Sequence, residues 1–335
     1  MNSSVPVRNF TLPTSPHPIG VVIPTYNRSE VLLSCLRHLE LQTWTDFEVV
    51  VVDDGSTDST PRLLEKYQRQ TPLHLCCIRQ DNSGPARARN TAISVLQAPI
   101  CLMIGDDILA SPDLVSKHLQ LHRKRPEIQV AGLGLTRWSD VGQRVTAFMR
   151  WLDESGVQFA YNDLLRGAAP DWRYFYTSNL SLKTQFLREN PFDESFKKAA
   201  VEDLELGYRL EQQGGLEIVF IPDALAHHLH PTSFRQACRR MFNVGSSTRL
   251  FHDLWPSAAL PGTKSPFRRR LRSFMLRYPW LLPPLTILAD ILTSAWCPNM
   301  LVRGTLMYHC ILGYQSNASS DRSPAPHGDR EGYGA

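Results

Sequence analysis

The sequence predicts an α/β fold, a Rossmann-like, mostly parallel sheet with helices on both faces. Three observations predict it. Short apolar, β-branched runs alternate with segments of helical period from residue 19 to about residue 135. The runs are continuous rather than alternating, as in strands buried on both faces. Each stops at a polar turn rich in Pro, Gly, Asp or Asn. Strand–helix alternation of this kind builds βαβ units.

Ile19 to Ile23 is the first strand, ended by Pro24. Apolar residues from Val31 to Leu41 recur at helical spacing. Phe47 to Val52 is a second strand, stopped by Asp53-Asp54-Gly55. Thr60 to Arg69 is a helix with Pro61 in its first turn, where no N–H partner is needed. Leu73 to Ile78 is a third strand, Pro85 to Leu96 a helix, Ile100 to Ile104 a fourth strand, Pro112 to Lys124 a helix and Ile128 to Leu135 a further strand. The second half is less regular. Trp138 to Asp171 is aromatic-rich without a clear period. Phe175 to Leu182 reads as a strand, Ala199 to Gln212 as a helix stopped by Gly214-Gly215, Ile218 to Ile221 as a strand and Ser233 to Met241 as a helix.

The chain has 335 residues, 42% of them apolar and 20% charged. That suits one large or two small globular domains and excludes wholesale disorder. A net charge of +4 is too small to argue for nucleic acid. Residues 235–280, however, hold ten Lys/Arg and one acid, Asp253. A basic segment on an otherwise mildly acidic protein predicts a local anionic partner. Seven cysteines with no CxxC pair indicate neither a disulfide framework nor a zinc site. The Pro-rich N-terminus lacks an apolar core like that of a signal peptide, so the expected location is cytoplasmic.

In open α/β sheets ligands sit at the carboxyl ends of the strands. Thr25, Tyr26 and Asn27 follow the first strand, Asp53 and Asp54 the second, Asp106 and Asp107 the fourth. Two adjacent acids at a strand end are costly unless they bind something, and Asp53/Asp54 are placed to accept from a ribose or base. Asp58 reads instead as a helix cap. Asp106-Asp107 offers compact oxygen ligands for Mg2+ or Mn2+ held together with substrate phosphates. Asn82-Ser83-Gly84-Pro85 turns into a helix whose first N–H groups can face an anion. Arg87 and Arg89 lie about 200° apart on that helix, so only one faces the site, and Arg89 is the better candidate. Of Glu202 and Asp203, one can serve as a general base while the other packs, caps or pairs. Glu205 and Arg209 form an i,i+4 pair. His228 is a candidate metal ligand, with a structural histidine as its alternative.

The order of these motifs resembles a family 2 glycosyltransferase of the GT-A fold over roughly residues 18–250. The resemblance rests on Pro24-Thr-Tyr-Asn27, Val52-Asp-Asp-Gly-Ser-Thr-Asp58, Asn82-Ser-Gly-Pro85, Asp106-Asp107, Thr177-Ser-Asn-Leu-Ser181, Pro191-Phe-Asp-Glu194, Glu202-Asp-Leu-Glu-Leu206 and His228. It implies an inverting transferase using a nucleotide-diphosphate sugar, a divalent metal (Mg2+ or Mn2+), and a glycan, lipid-linked or other hydroxyl acceptor. Pro24, Thr25, Tyr26, Asn27, Asp53, Asp54, Asn82, Gly84, Arg89 and Asp106 would lie on the nucleotide-sugar side. Asp107, with Asp106 and His228, would hold the metal. Asp203 would be the base, with Glu202 the alternative, and Ser178 and Asn179 would face the acceptor. The sequence departs once from the family pattern, because Gly105 stands where the first acid of Asp-x-Asp would be. Rival readings are a nucleotidyltransferase and a sugar-nucleotide-binding homologue without turnover.

The expected organisation is a flexible lead-in over 1–18, a transferase domain over 19–250 divided near residue 135, a basic and apolar helical extension over 251–314 and a disordered tail over 315–335. Between Tyr278 and Trp296 an apolar stretch is interrupted by Pro279, Pro283, Pro284 and Asp290, which disfavours a membrane-crossing helix. Five arginines just upstream and the flanking Trp280 and Trp296 predict that 264–296 lies on the cytoplasmic face of a membrane. Packing of the same helices against the catalytic core is the alternative.

Overall fold

A computed structural model describes residues 16–258, 277–278, 280, 282–293 and 296–316. Most of the lead-in and tail, and the Arg268–Arg272 run, lie outside the described residues.

The first half follows the predicted alternation. Strands β1 (Gly20–Thr25), β2 (Glu48–Asp53), β3 (His74–Arg79) and β4 (Ile100–Ile104) are parallel neighbours. Helices α1 (Ser29–Glu40), α2 (Thr60–Gln68) and α3 (Pro85–Val95) connect them. Side chains alternate across each strand. Val22, Val50, Val52 and Met103 therefore enter one core with Ala86, Ala88 and Ala92 of α3. Val21, Ile23, Val51 and Leu102 enter the opposite core with Leu32, Leu36 and Leu39 of α1. Burial on both faces is why these strands read as unbroken apolar runs. Each buried Val, Leu or Ile stabilises the fold by roughly 1.5–3 kcal/mol.

Past β4 the structure differs from the sequence reading. A short strand β5 (Ile108–Ala110) precedes α4 (Leu114–Lys124), then β6 (Val130–Trp138). The region expected to be irregular holds α5 (Ala147–Ser155) and α6 (Tyr161–Leu165), and a 3-10 turn at Trp172–Tyr174. β7 starts only at Asn179 and ends at Lys183, followed by α7 (Thr184–Glu189). Helix α8 (Glu202–Gly214) begins three residues later than expected, because Val201 adopts a left-handed conformation with φ 71°.

β8 (Glu217–His228) is far longer than Ile218–Ile221, because a bulge absorbs Pro222 and the strand resumes. α9 (Phe234–Leu254) runs well past Met241 from a capping box made by Ser233 and Gln236. The eight strands lie in the order β3-β2-β1-β4-β7-β6-β8-β5. β7 is antiparallel to β4 and β6, and β5 is antiparallel to β8.

Helices α10 (Leu282–Thr293) and α11 (Asn299–Ser316) pack on α9. Ala289, Val302 and Leu306 join Phe148, Phe234 and Ala237 in one cluster. Backbones meet closely there: a Cβ on Gly313 would fall 1.8 Å from the Phe242 carbonyl oxygen. Core packing thus accounts for part of the apolar C-terminal stretch. Trp280, Ile287, Leu288, Ile291, Trp296 and Met300 nevertheless remain exposed. No helix among the described residues is long and apolar enough to cross a membrane.

Candidate active site

An open cleft of about 840 Å3 lies at the carboxyl ends of β1, β2 and β4. Of the residues singled out from the sequence, it brings together Pro24, Thr25, Tyr26, Asp54, Asn82, Gly84, Arg89, Asp106, Asp107, Ser178, Glu202, Asp203 and His228.

Asp54 closes the β2 turn against the Asn82–Gly84 turn. Its Oδ1 accepts from the Ser83 N–H at 2.9 Å and from Gln80 Nε2 at 2.7 Å, and its Oδ2 accepts from the Gly84 N–H at 2.8 Å. Gly84 sits at φ 92°, and a Cβ there would meet the Lys197 carbonyl oxygen at 2.6 Å, so only glycine fits. The cost of burying this acid is met by hydrogen bonds from the chain itself.

The β4–β5 turn presents Asp106 and Asp107. Thr25 donates its hydroxyl to Asp106 Oδ2 at 2.8 Å. β5 pairs with β8 so that Ile108 stands opposite His228, which carries that histidine to the turn. Asp107 Oδ2 lies 3.1 Å from His228 Nε2 and 3.0 Å from His230 Nδ1. These three residues form a group able to hold a metal ion. Two imidazoles beside one carboxylate make this a mixed nitrogen and oxygen ligand set for a divalent ion. Burial raises the Asp107 carboxyl, but His228, His230 and Arg28 outweigh it and hold it well below the usual range. Burial and the adjacent Asp107 push Asp106 up to about 6. Trp138 stacks on the His228 ring at 5.2 Å and fixes its plane.

Both acids at the start of α8 line the cleft, whereas the sequence reading allowed only one to point there. The left-handed Val201 turns the chain sharply into the helix and exposes its first turn to the cleft. A β-branched residue in that conformation is strained by about 1–3 kcal/mol. The two acids differ in partners. Glu202 is buried and bonded through Oε1 to Arg89 Nη1 at 2.9 Å. Among the described residues Asp203 accepts only from the Leu204 N–H, at 2.9 Å, and burial with the neighbouring Glu202 pushes its carboxyl up to about 7. Arg87, by contrast, is exposed.

Three residues expected in the site lie elsewhere. Asn27, at φ 54°, clips two loops: its Oδ1 accepts from the Thr57 N–H at 2.7 Å, and its own N–H donates to Ser56 Oγ. Asp53 is turned away from the cleft to the Ser56 N–H and Arg79. Asn179 is fully buried in β7, where it accepts from His118 and donates to the Ala224 carbonyl left unpaired by the β8 bulge. Polar residues near strand ends thus serve the loops and the sheet as well as the cleft. Two cleft residues were missed. His230 is two residues beyond His228, a spacing that puts both on one side of extended chain. Arg28 had no such signal.

Residues 20–175 match the model of glycosyl transferase family 2. That span is just under half of the chain. The chain is 30% identical over 258 residues to the uncharacterized glycosyltransferase YfnE of Bacillus subtilis (strain 168), covering 64% of this chain and 65% of that one. It is 33% identical over 224 residues to the validoxylamine A glucosyltransferase of Streptomyces hygroscopicus subsp. jinggangensis (strain 5008), covering 58% and 52%. The chain thus spans between about half and two thirds of these relatives' lengths. The mannosyltransferase PcManGT from Pyrobaculum calidifontis, solved with GDP-Man and Mn2+, superposes with a TM-score of 0.59 at 19% identity, covering 95% of this chain and 92% of that one. The chain therefore has the GT-A fold expected from its motifs.

Proposed function

We propose that this chain is an inverting glycosyltransferase that moves a sugar from a nucleotide-diphosphate sugar to a hydroxyl of a glycan or lipid-linked acceptor. The observation that carries the reading is one cleft holding both a group able to hold a metal ion and a carboxyl, Asp203, with a raised pKa of about 7. A group with that pKa is matched to proton abstraction near neutral pH.

Thr25, Asp54, Asn82 and Gly84 hold the nucleoside. Asp107, His228 and His230 fit a divalent ion, Mg2+ or Mn2+, which when bound supplies positive charge for the departing diphosphate. Asp106 orients the turn through Thr25. Asp203 takes the proton of the acceptor hydroxyl as that oxygen attacks the anomeric carbon and the nucleoside diphosphate leaves. A single displacement inverts the anomeric configuration. Glu202 keeps Arg89 in place rather than acting as base. Ser178 stands on the acceptor side. Gly105 leaves room for Asp107, since a Cβ there would lie 2.7 Å from Asp107 Oδ1.

Purified protein is to be incubated with UDP- and GDP-sugars and Mn2+. Release of nucleoside diphosphate supports the reading, whereas sugar nucleotide that stays intact until pyrophosphate is added, and then yields nucleoside triphosphate and sugar 1-phosphate, means nucleotidyl transfer instead.

A second element of the proposal concerns location. Residues 264–296 contact the anionic cytoplasmic face of a membrane and bring a lipid-linked acceptor near the cleft. The support is the exposed apolar face of α10, with Ile287, Leu288 and Ile291 between the exposed Trp280 and Trp296. Such a helix lies in the interface, and each nearby basic side chain adds about 1 kcal/mol of attraction to anionic lipid.

A further inference from the structure

The atoms that would ligate a divalent ion are already bonded to a cation of the chain. Arg28 stands at the start of α1, and its guanidinium reaches the Asp106–Asp107 turn. Nη1 donates to Asp106 Oδ1 at 2.8 Å and to Asp107 Oδ2 at 2.9 Å, and Nη2 lies 2.7 Å from His230 Nδ1. Asp107 Oδ2 and His230 Nδ1 are also two of the atoms that bring Asp107, His228 and His230 together. A lone pair that accepts a guanidinium hydrogen is not available to a metal, so the two cations compete.

Arg28 has somewhere else to go. Its side chain is 30% exposed and lines the same cleft as Asp54 and Gly84. A planar guanidinium fork suits a phosphate as well as it suits paired carboxylates. Arg89, another arginine of the cleft, is tied to Glu202 and less able to turn.

We propose that Arg28 links metal and donor binding. Its guanidinium bridges Asp106, Asp107 and His230 until a nucleoside diphosphate takes it, and the freed ligands then accept the divalent ion. Metal and nucleotide therefore bind with positive cooperativity, each tightening the other by the same factor. The proposal rests on the donor and metal reading above.

The test is Mn2+ titration of the full chain, followed by the electron paramagnetic resonance signal of free Mn2+, with and without UDP or GDP. In the wild type, nucleotide is expected to tighten Mn2+ by about tenfold or more. Arg28→Gln is expected to bind Mn2+ on the order of tenfold tighter than wild type without nucleotide, with little further gain when it is added. Arg28→Lys keeps the charge but lacks the fork and is expected to fall between the two. If neither variant binds Mn2+ more tightly than wild type without nucleotide, the competition is overturned. If wild-type Mn2+ affinity ignores a nucleotide that calorimetry shows to bind, the link is overturned while the donor reading stands. If neither UDP nor GDP binds by calorimetry, the donor reading fails and the link fails with it, whereas the competition is still read from the nucleotide-free titrations.

Discussion

Glu202 and Arg89 lie 2.9 Å apart in a buried ion pair, and this pair separates the roles of two adjacent acids. Glu202 is spent on holding a guanidinium that would otherwise be buried alone. Asp203, one residue on, has no cationic side chain bonded to it among the described residues and keeps a raised pKa.

Removing one partner of a buried ion pair costs about 3–5 kcal/mol, since the other charge is left stranded. Glu202→Ala is expected to lower the unfolding free energy by about 3 kcal/mol in urea denaturation. Glu202→Gln keeps an acceptor oxygen for Arg89 and should lose less. A Glu202→Ala protein as stable as wild type would remove the structural role assigned to this pair.

Asp203 makes the opposite prediction. Its folded pKa of about 7 lies above the ordinary carboxyl value of 3.8. Between those values the folded state binds a proton that the unfolded state has released, so this group's contribution falls as pH rises across that window. Asp203→Asn removes the penalty. The variant should melt higher than wild type by a few degrees at pH 8 and by less at pH 5. A difference independent of pH would contradict the raised pKa.

The reading of the site also predicts metal dependence. Chelator is expected to abolish turnover, and His230→Ala to weaken Mn2+ binding by at least about tenfold, as loss of a ligand or its support does. His227, on the other side of the strand by alternation, is the control, and His227→Ala should leave Mn2+ binding unchanged. Equal Mn2+ affinity in His230→Ala and wild type would place the ion elsewhere.

The exposed face of α10 predicts co-sedimentation of the full chain with vesicles rich in phosphatidylglycerol at low salt, lost on Ile287→Asp with Ile291→Asp. Recovery of the wild-type protein in the supernatant under those conditions would rule out the membrane contact.

The first half of the fold was legible because its strands are buried on both faces and its helices on one, so each leaves a period in the sequence. The second half was not, for reasons that can be named. The β8 bulge hides a twelve-residue strand behind Pro222. β5 has only three residues, too few to show a period, yet its pairing with β8 is what delivers His228 to Asp107. At the site, the acids were legible as polar pairs at strand ends. Their partners were not, because Arg28, His230 and Asp107 meet only through the tertiary fold. The same limit misplaced Asn27, Asp53 and Asn179, whose polar groups satisfy backbone left open by turns and the bulge.

The most direct test of the whole account is the pH dependence of sugar transfer in wild type and Asp203→Asn, measured as nucleoside diphosphate release at saturating donor with Mn2+. The base must be ionised to act, so the wild-type rate should rise with pH through about 7. Asp203→Asn should lose roughly 10²–10⁴ of that rate, keep its nucleotide affinity and show no such rise. An Asp203→Asn enzyme with the wild-type rate and pH profile would contradict the account.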